Sequence, residues 1–262
     1  ALERRLAVIA GTSACHLALV PEGQKVRGVW GPYYGALLPE RWLLEAGISA
    51  SGAFLDHALR QFTSAVADAS VLQAAELAAC EIEAAGQSMT DLTRDLHLQC
   101  NVLGNRAPLA DPTLTGGLSG WVLRNDSGEL ARWYVAALQS LAYATRHIIE
   151  TMRDAAIGID LLVVSGGSAS NARWRQIHAD VLGIPVAVPA QRDGVLLGAA
   201  MLAARATGLH ASLATAMLQM NQIAHIAKPD TTTRAFHDAK YAVYRRMLED
   251  QHAYAEMMRG TA

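Results

Sequence analysis

The chain has 262 residues, of which 52% are hydrophobic and 18% charged, with a formal net charge of −2. That much apolar material builds a substantial buried core, in one large domain or two small ones, and excludes an intrinsically disordered protein. No segment concentrates Lys and Arg, which excludes an electrostatic footprint for nucleic acid.

Three strand-like segments come first: Leu6–Ala10, His16–Val20 and Val26–Trp30. The small cluster GTSAC separates the first two and the turn PEGQK the second and third, as in an antiparallel meander. The opening LERRLAVIAGTSACHLALV has the outline of a signal peptide, but Thr12, Ser13 and His16 interrupt its apolar run. No 18-residue apolar stretch is present for a membrane span. The chain starts at Ala1, directly before a strand and without an initiator Met, as a fragment would.

After GPYYGALLPERWLLEAGIS the spacing of Phe54, Leu55, Ala58, Leu59 and Phe62 predicts a helix from Ser51 to about Ala67. An Ala-rich helix is expected over Ser70–Ala85. Asn101–Gly120 reads as a long loop, of the kind that is usually functional or an interface. Asp126 or Ser127 then caps a long helix to about Ala155, whose core face carries Leu130, Trp133, Ala137, Leu141, Ile148 and Met152. Next come a buried strand (Asp160 onward), the turn SGGSASN, a helix at Ala172–Leu182, the strand IPVAVP and a helix at Val195–Thr207. That alternation is α/β architecture. The tail, from about Ala239 to Met258, predicts a polar helix with Tyr241, Tyr244, Met247 and Tyr254 on one side, packed on the domain or on a partner.

Cys15, Cys80 and Cys100 are an odd number without a CxxC pair, which suits a reducing, cytoplasmic setting better than a disulfide framework. The histidines are dispersed with no HxxxH or HExxH spacing, so no metal site built from protein ligands alone is expected.

Two glycine turns carry the chemistry. Gly11–Ser13 joins two strands, and a turn of small residues can present N–H groups and a hydroxyl to a phosphate. Taken alone, a plain hairpin turn is the favoured reading. Ser165–Asn171 follows a buried strand and opens a helix. Gly166 and Gly167 permit a sharp turn and let a ring or phosphate lie on the backbone, while Asn171 could simply be an N-cap. Neither a Walker loop nor a GxGxxG fingerprint is present.

Together these motifs form an ordered set: the GTS hairpin, LLEAGISASG before a helix, GNRAPLADPTLTG, a long helix, VVSGGSASNARWRQIHADVLGIPVAVP and LLGAAMLAA. From end to end the chain resembles the second domain of FGGY carbohydrate kinases, and GVWGPYYGALLPERWLLEAGISASG and GNRAPLADPTLTG look like the D-ribulose kinase group. The resemblance implies an actin-like ATPase (ribonuclease H-like) domain, a mixed sheet flanked by helices. It implies ATP with Mg²⁺, and transfer of the γ-phosphoryl to a sugar. Carried over by position, Gly11, Thr12 and Ser13 would meet the phosphates, Gly52 and Asp56 would lie near the nucleotide, and Gly167 and Asn171 would hold adenosine with Gly166 in support. Cys15 or His16 would approach the sugar cleft, although a solvated helix residue for Asp56 and a core strand histidine for His16 are the favoured readings. Ser168, Ser170 and Gly194 depart from the residues that relatives usually carry.

The resemblance also implies that the catalytic base, an Asp, lies upstream of the GTS strand, so no catalytic residue is expected in this chain. Asp91, Asp111 and Asp193 carry no mark of a base, and Asp111 in LADP reads as a turn residue. The sugar-binding N-terminal domain of the same kinase is the expected partner, with nucleic acid and membrane excluded and a homodimer left open. The chain alone is expected to be inactive. The alternatives are a non-catalytic nucleotide-binding sensor of the same fold, a kinase for L-ribulose, xylulose or a pentitol such as ribitol, and an unrelated α/β binding module.

Overall fold

The computed structural model describes residues 2–61, 70–191 and 193–259. Strands β1 (Arg5–Ala10) and β2 (Ala14–Val20) form a hairpin whose turn is closed by the Gly11 N–H donating to the Ser13 carbonyl at 2.9 Å. β2 alternates: Ala14, His16, Ala18 and Val20 are buried, while Cys15, Leu17 and Leu19 are half-buried on the opposite face. The third strand, β3, is Trp30–Tyr34 and not Val26–Trp30. Gly28, at φ +76°, turns the chain there, so Val26 and Val29 are buried singly from a bend.

A fourth strand, β4 (Trp42–Ile48), lies where the sequence suggested none. Helices α1 (Gly52–Arg60), α2 (Ser70–Ala84) and α3 (Met89–Thr93) follow. The first of these was expected to reach Ala67; residues 62–69, Phe62 included, lie outside the described residues. β5 (His97–Gln99) and β6 (Gly117–Ser119) pair as a small ribbon at either end of the expected loop. Inside the loop, Asn105 and Asp111 exchange backbone hydrogen bonds of 2.8 and 2.9 Å. The Asp111 carboxylate accepts from the Thr113 N–H and hydroxyl, the behaviour of a turn residue.

Helix α4 (Ser127–Asp154) starts where Asp126 accepts the Glu129 N–H at 2.8 Å. The expected single core face understates it, because α4 is buried nearly all round between Ala131 and Thr145. Alanines 136, 137, 142 and 144 let the sheet, α1 and α2 approach it closely. β7 (Leu161–Ser165), α5 (Ala172–Leu182) and β8 (Val186–Pro189) make a parallel βαβ unit, with α5 ended by Gly183 in the left-handed region. Beyond it lie α6 (Gly194–Ala206), α7 (Leu213–Met220), β9 (Ile223–Ala227) and α8 (Arg234–Arg259). On α8, Tyr241 and Tyr244 are buried with ring centroids 6.0 and 5.9 Å from that of Tyr143, whereas Tyr254 is exposed. The tail therefore packs on the domain.

The seven strands run in the order β3-β4-β2-β1-β7-β8-β9. β1 is parallel to β7 and β7 to β8, and every other pair in this sheet is antiparallel. The main core lies between this sheet and α1, α2, α4, α5 and α8. Among the described residues, no helix is long and apolar enough to cross a membrane, and no group of three or more His, Cys, Asp or Glu is placed to hold a metal ion.

Candidate nucleotide site

The parallel neighbours β1 and β7 each run, at their carboxyl ends, into a glycine turn. That is where open α/β sheets leave a crevice for ligands. A cavity of about 700 Å³ opens there. One side is the hairpin turn, Gly11 and Thr12. The second is the amino end of α1 with Gly52, Leu55, Asp56, Leu59 and Arg60, continued by Val71, Leu72 and Gln73 at the start of α2. The third is Gly167, Ser168, Ser170, Asn171 and Trp174. Six of the eight residues singled out in the sequence thus meet at one cavity from three distant segments.

The remaining two stand behind it. Ser13 is half-buried and uses its carbonyl to close the hairpin turn. Gly166 lines a neighbouring hollow on the other side of the same turn. Its φ of +93° and ψ of −174° belong to a region open essentially to glycine alone. A β-carbon there would stand 2.6 Å from the Ala10 carbonyl oxygen.

The amino end of α1 is docked onto the hairpin. Ser51, Gly52 and Ala53 donate their N–H groups to the carbonyls of Thr12, Gly11 and Thr12 at 2.8, 2.9 and 3.2 Å. These orphan donors of the first turn are thereby satisfied by protein, and are not held out to an anion. Gly52 is required by that docking, since a β-carbon would stand 2.8 Å from the Gly11 carbonyl oxygen. Gly167 is different: among the described residues no heavy atom lies within 4 Å of where its β-carbon would be. Space in front of Gly167, and contact behind Gly166, is what a ligand platform needs.

Asn171 both caps α5, its Oδ1 accepting the Trp174 N–H at 2.9 Å, and lines the cavity. Its Nδ2 donates to the Tyr134 hydroxyl at 2.7 Å, a contact that nothing in the sequence signals, because Tyr134 lies 37 residues away on α4. Asp56 is exposed and pairs with Arg60 at 2.8 Å one turn on, which gives the cavity wall one acid and one base in mutual contact.

With this geometry, residues 6–207 match the model for the C-terminal domain of the FGGY family of carbohydrate kinases. The chain belongs to that family. It is 37% identical to FGGY carbohydrate kinase domain-containing proteins of Danio rerio, over 98% of this chain and 49% of that protein, and of Homo sapiens, over 97% and 47%. A D-ribulokinase of Saccharomyces cerevisiae is 31% identical over 78% of this chain and 30% of its own length. Among solved structures, a xylulose kinase from Rhodospirillum rubrum superposes with a TM-score of 0.78 at 21% identity, covering 96% of this chain and 48% of that one. The fold is the actin-like ATPase fold. The chain spans about half the length of these Danio rerio and Homo sapiens relatives.

As an FGGY C-terminal domain, the chain gives a structural reason for two of its three departures, Ser170 and Gly194. Ser170 donates its hydroxyl to the Gly167 carbonyl at 2.8 Å and so tightens the turn. Gly194 begins α6 under the Asp193 cap, and a β-carbon there would stand 3.1 Å from that of Ser165, so glycine lets α6 start close over β7. His16 faces the core: its Nε2 lies 3.2 Å from the Thr145 hydroxyl, and burial holds its pKa down at about 4. Cys15 is on the opposite face of β2, and neither residue lines the cavity. Asp91 is engaged by Ser88 and Arg94, and Asp193 by the first N–H groups of α6.

Proposed function

We propose that this chain is the ATP-binding half of a kinase that phosphorylates a sugar, with a ketopentose such as D-ribulose as the acceptor. The observation that carries the reading is the convergence of Gly11, Thr12, Gly52, Asp56, Gly167 and Asn171 on one cavity at the carboxyl ends of β1 and β7. Likeness to a D-ribulokinase supports the choice of sugar.

The residues present suit ATP. Leu55, Leu59, Val71 and Leu72 give an apolar wall for a base, and open space over Gly167 leaves room for the nucleoside against the backbone. The Thr12 hydroxyl, on the hairpin turn that lines the cavity, would orient phosphates, and the Ser13 carbonyl behind it closes the turn. Because Asp56 and Arg60 neutralise one another, the charge of a triphosphate falls to Mg²⁺ carried on the phosphates and to groups outside this cavity. Bound ATP supplies a γ-phosphoryl group for in-line transfer to a sugar hydroxyl. The carboxylate that accepts the hydroxyl proton is assigned to a segment preceding β1, and the sugar contacts to the N-terminal domain of a longer, cytoplasmic protein.

The test has two stages. Titration calorimetry with ATP and Mg²⁺ should show saturable binding to the chain, weakened in Thr12→Ala. The complete protein should then release ADP in the presence of D-ribulose, ahead of L-ribulose, xylulose and ribitol. ATP binding without turnover of any sugar would replace the kinase with a nucleotide sensor of the same fold. No ATP binding at all would remove the assignment of Thr12, Gly167 and Asn171.

A further inference from the structure

Behind the cavity runs a chain of polar contacts. Arg173, at the start of α5 and almost fully buried, grips two carboxylates of α2, with Nη2 to Glu76 at 3.0 Å and Nη1 to Glu83 at 2.8 Å. The Tyr134 hydroxyl lies near the Glu76 carboxylate, close enough for each to move the other's pKa. Tyr134 is wholly buried, and its hydroxyl oxygen receives the Asn171 Nδ2 at 2.7 Å. Asn171 completes the chain by accepting the Trp174 N–H with Oδ1.

The polarity of this chain is fixed at its charged end. Arg173 keeps Glu76 a carboxylate, and that nearby negative charge favours turning the Tyr134 O–H dipole toward it and away from the Asn171 amide. The Tyr134 oxygen can then only accept from Asn171, and the amide of Asn171 has one orientation. Burial alone would push the Glu76 carboxyl up; the hydrogen bonds and charge of Arg173, with the Tyr134 hydroxyl nearby, bring it below the usual range. Burial pushes the Tyr134 phenol up, which keeps its proton in place.

The same chain spans the cavity. Glu76 lies one turn after Val71, Leu72 and Gln73, which line one side, and Asn171 ends the glycine turn that lines another. We infer that Tyr134, held by Glu76 and Arg173, is a positioning residue for the nucleotide: it orients Asn171 and fixes the glycine turn against α2. The inference rests on the reading of this cavity as the nucleotide site.

Tyr134→Phe removes one oxygen and keeps the buried ring. In titrations of the chain, binding of ATP, ADP and AMP should all weaken by about tenfold, the equivalent of one lost hydrogen-bonded contact. Thr12→Ala, on the phosphate side, should weaken ATP and ADP and leave AMP unchanged. The side-chain amide NMR signal of Asn171 should shift and exchange faster in Tyr134→Phe, while Arg173→Lys, which keeps the charge without the two-carboxylate grip, should give intermediate affinity. A folded Tyr134→Phe chain with wild-type affinity for all three nucleotides overturns the inference, even if its melting temperature is lower. Should that variant fail to fold, Glu76→Gln reverses the polarity at Tyr134 in nearly the same volume, and wild-type affinity there overturns the inference equally. A wild-type chain that binds no nucleotide takes down the site and the inference together; wild-type binding with an unaffected variant removes the inference alone.

Discussion

The rim of the cavity and the core directly beneath it treat polar and small residues in opposite ways. On the rim, Thr12 and the Asp56–Arg60 pair are exposed, Gly167 has open space where a side chain would be, and a β-carbon on Gly11 would meet only an ordinary contact at 3.8 Å. In the core, His16 and His178 are buried and kept neutral, one beside Thr145 and the other stacked on Trp174 with ring centroids 3.4 Å apart. Gly52 and Gly166 stand at the rim by sequence, yet their missing side chains face backbone, so they belong with the core. A glycine in a binding turn can therefore be there for the ligand or for the packing behind it, and the two kinds fail differently when changed.

The largest expected effect comes from the core histidines. Burial holds His16 at about 4 and His178 at about 3, against 6.5 in the unfolded chain. Below pH 6.5 the unfolded state takes up protons that the fold refuses. Stability is therefore full above about pH 6.5 and falls as pH drops toward the folded values. Each of the two should cost about 2 kcal/mol by pH 5, or about 4 kcal/mol together, a large share of a typical domain's stability. Urea denaturation at pH 7.5, 6.5, 5.5 and 5.0 measures it, and a flat profile over that range would put water-accessible histidines where the structure has a closed core. The rim, with no buried histidine of its own, should contribute nothing to this slope.

Gly166→Ala comes next, at about 3 kcal/mol, from a glycine-only backbone region combined with a contact of 2.6 Å to a β1 carbonyl. Gly52→Ala should cost about 2 kcal/mol, since the clash at 2.8 Å is resolved by backing α1 away from the hairpin at the expense of the Gly52-to-Gly11 hydrogen bond. Chemical denaturation gives both numbers. If either variant kept full stability and lost only ligand affinity, that glycine would have to be moved from the core group to the rim group.

The sequence made the rim legible where chemistry and punctuation coincide. The hairpin turn, the SGGSASN turn, the Asp126 cap and the α5 helix are local signals, and each is satisfied within a few residues. β4 was missed because Trp42–Ile48 is buried at almost every position, so its apolar run has no alternation to set strand apart from helix. β3 was displaced because Gly31 and Pro32 sit inside it, tolerable in an edge strand but contrary to strand pattern. The supports of the site were invisible for a different reason. Tyr134 and Asn171, or Glu76 and Arg173, are 37 and 97 residues apart, and only the packing of α2, α4 and α5 brings them into contact.

The smallest expected change in stability is the sharpest separation of rim from core. Gly167 opens a short 3₁₀ turn, and its φ is not in the left-handed region, so alanine is acceptable to the backbone. With open space ahead of it, a methyl group meets no described atom within 4 Å. Gly167→Ala should leave stability within about 0.5 kcal/mol of wild type, since a surface change away from packing costs little. Yet that methyl would stand in the space proposed for the nucleoside, against the backbone of the turn. Affinity for ATP should fall several-fold while the denaturation curve stays where it was, the inverse of the result expected for Gly166→Ala one residue earlier. Equal affinity in Gly167→Ala would mean that a bound nucleotide does not lie on this turn, and the adenosine side of the cavity would have to be sought along Leu55, Leu59 and Val71 instead.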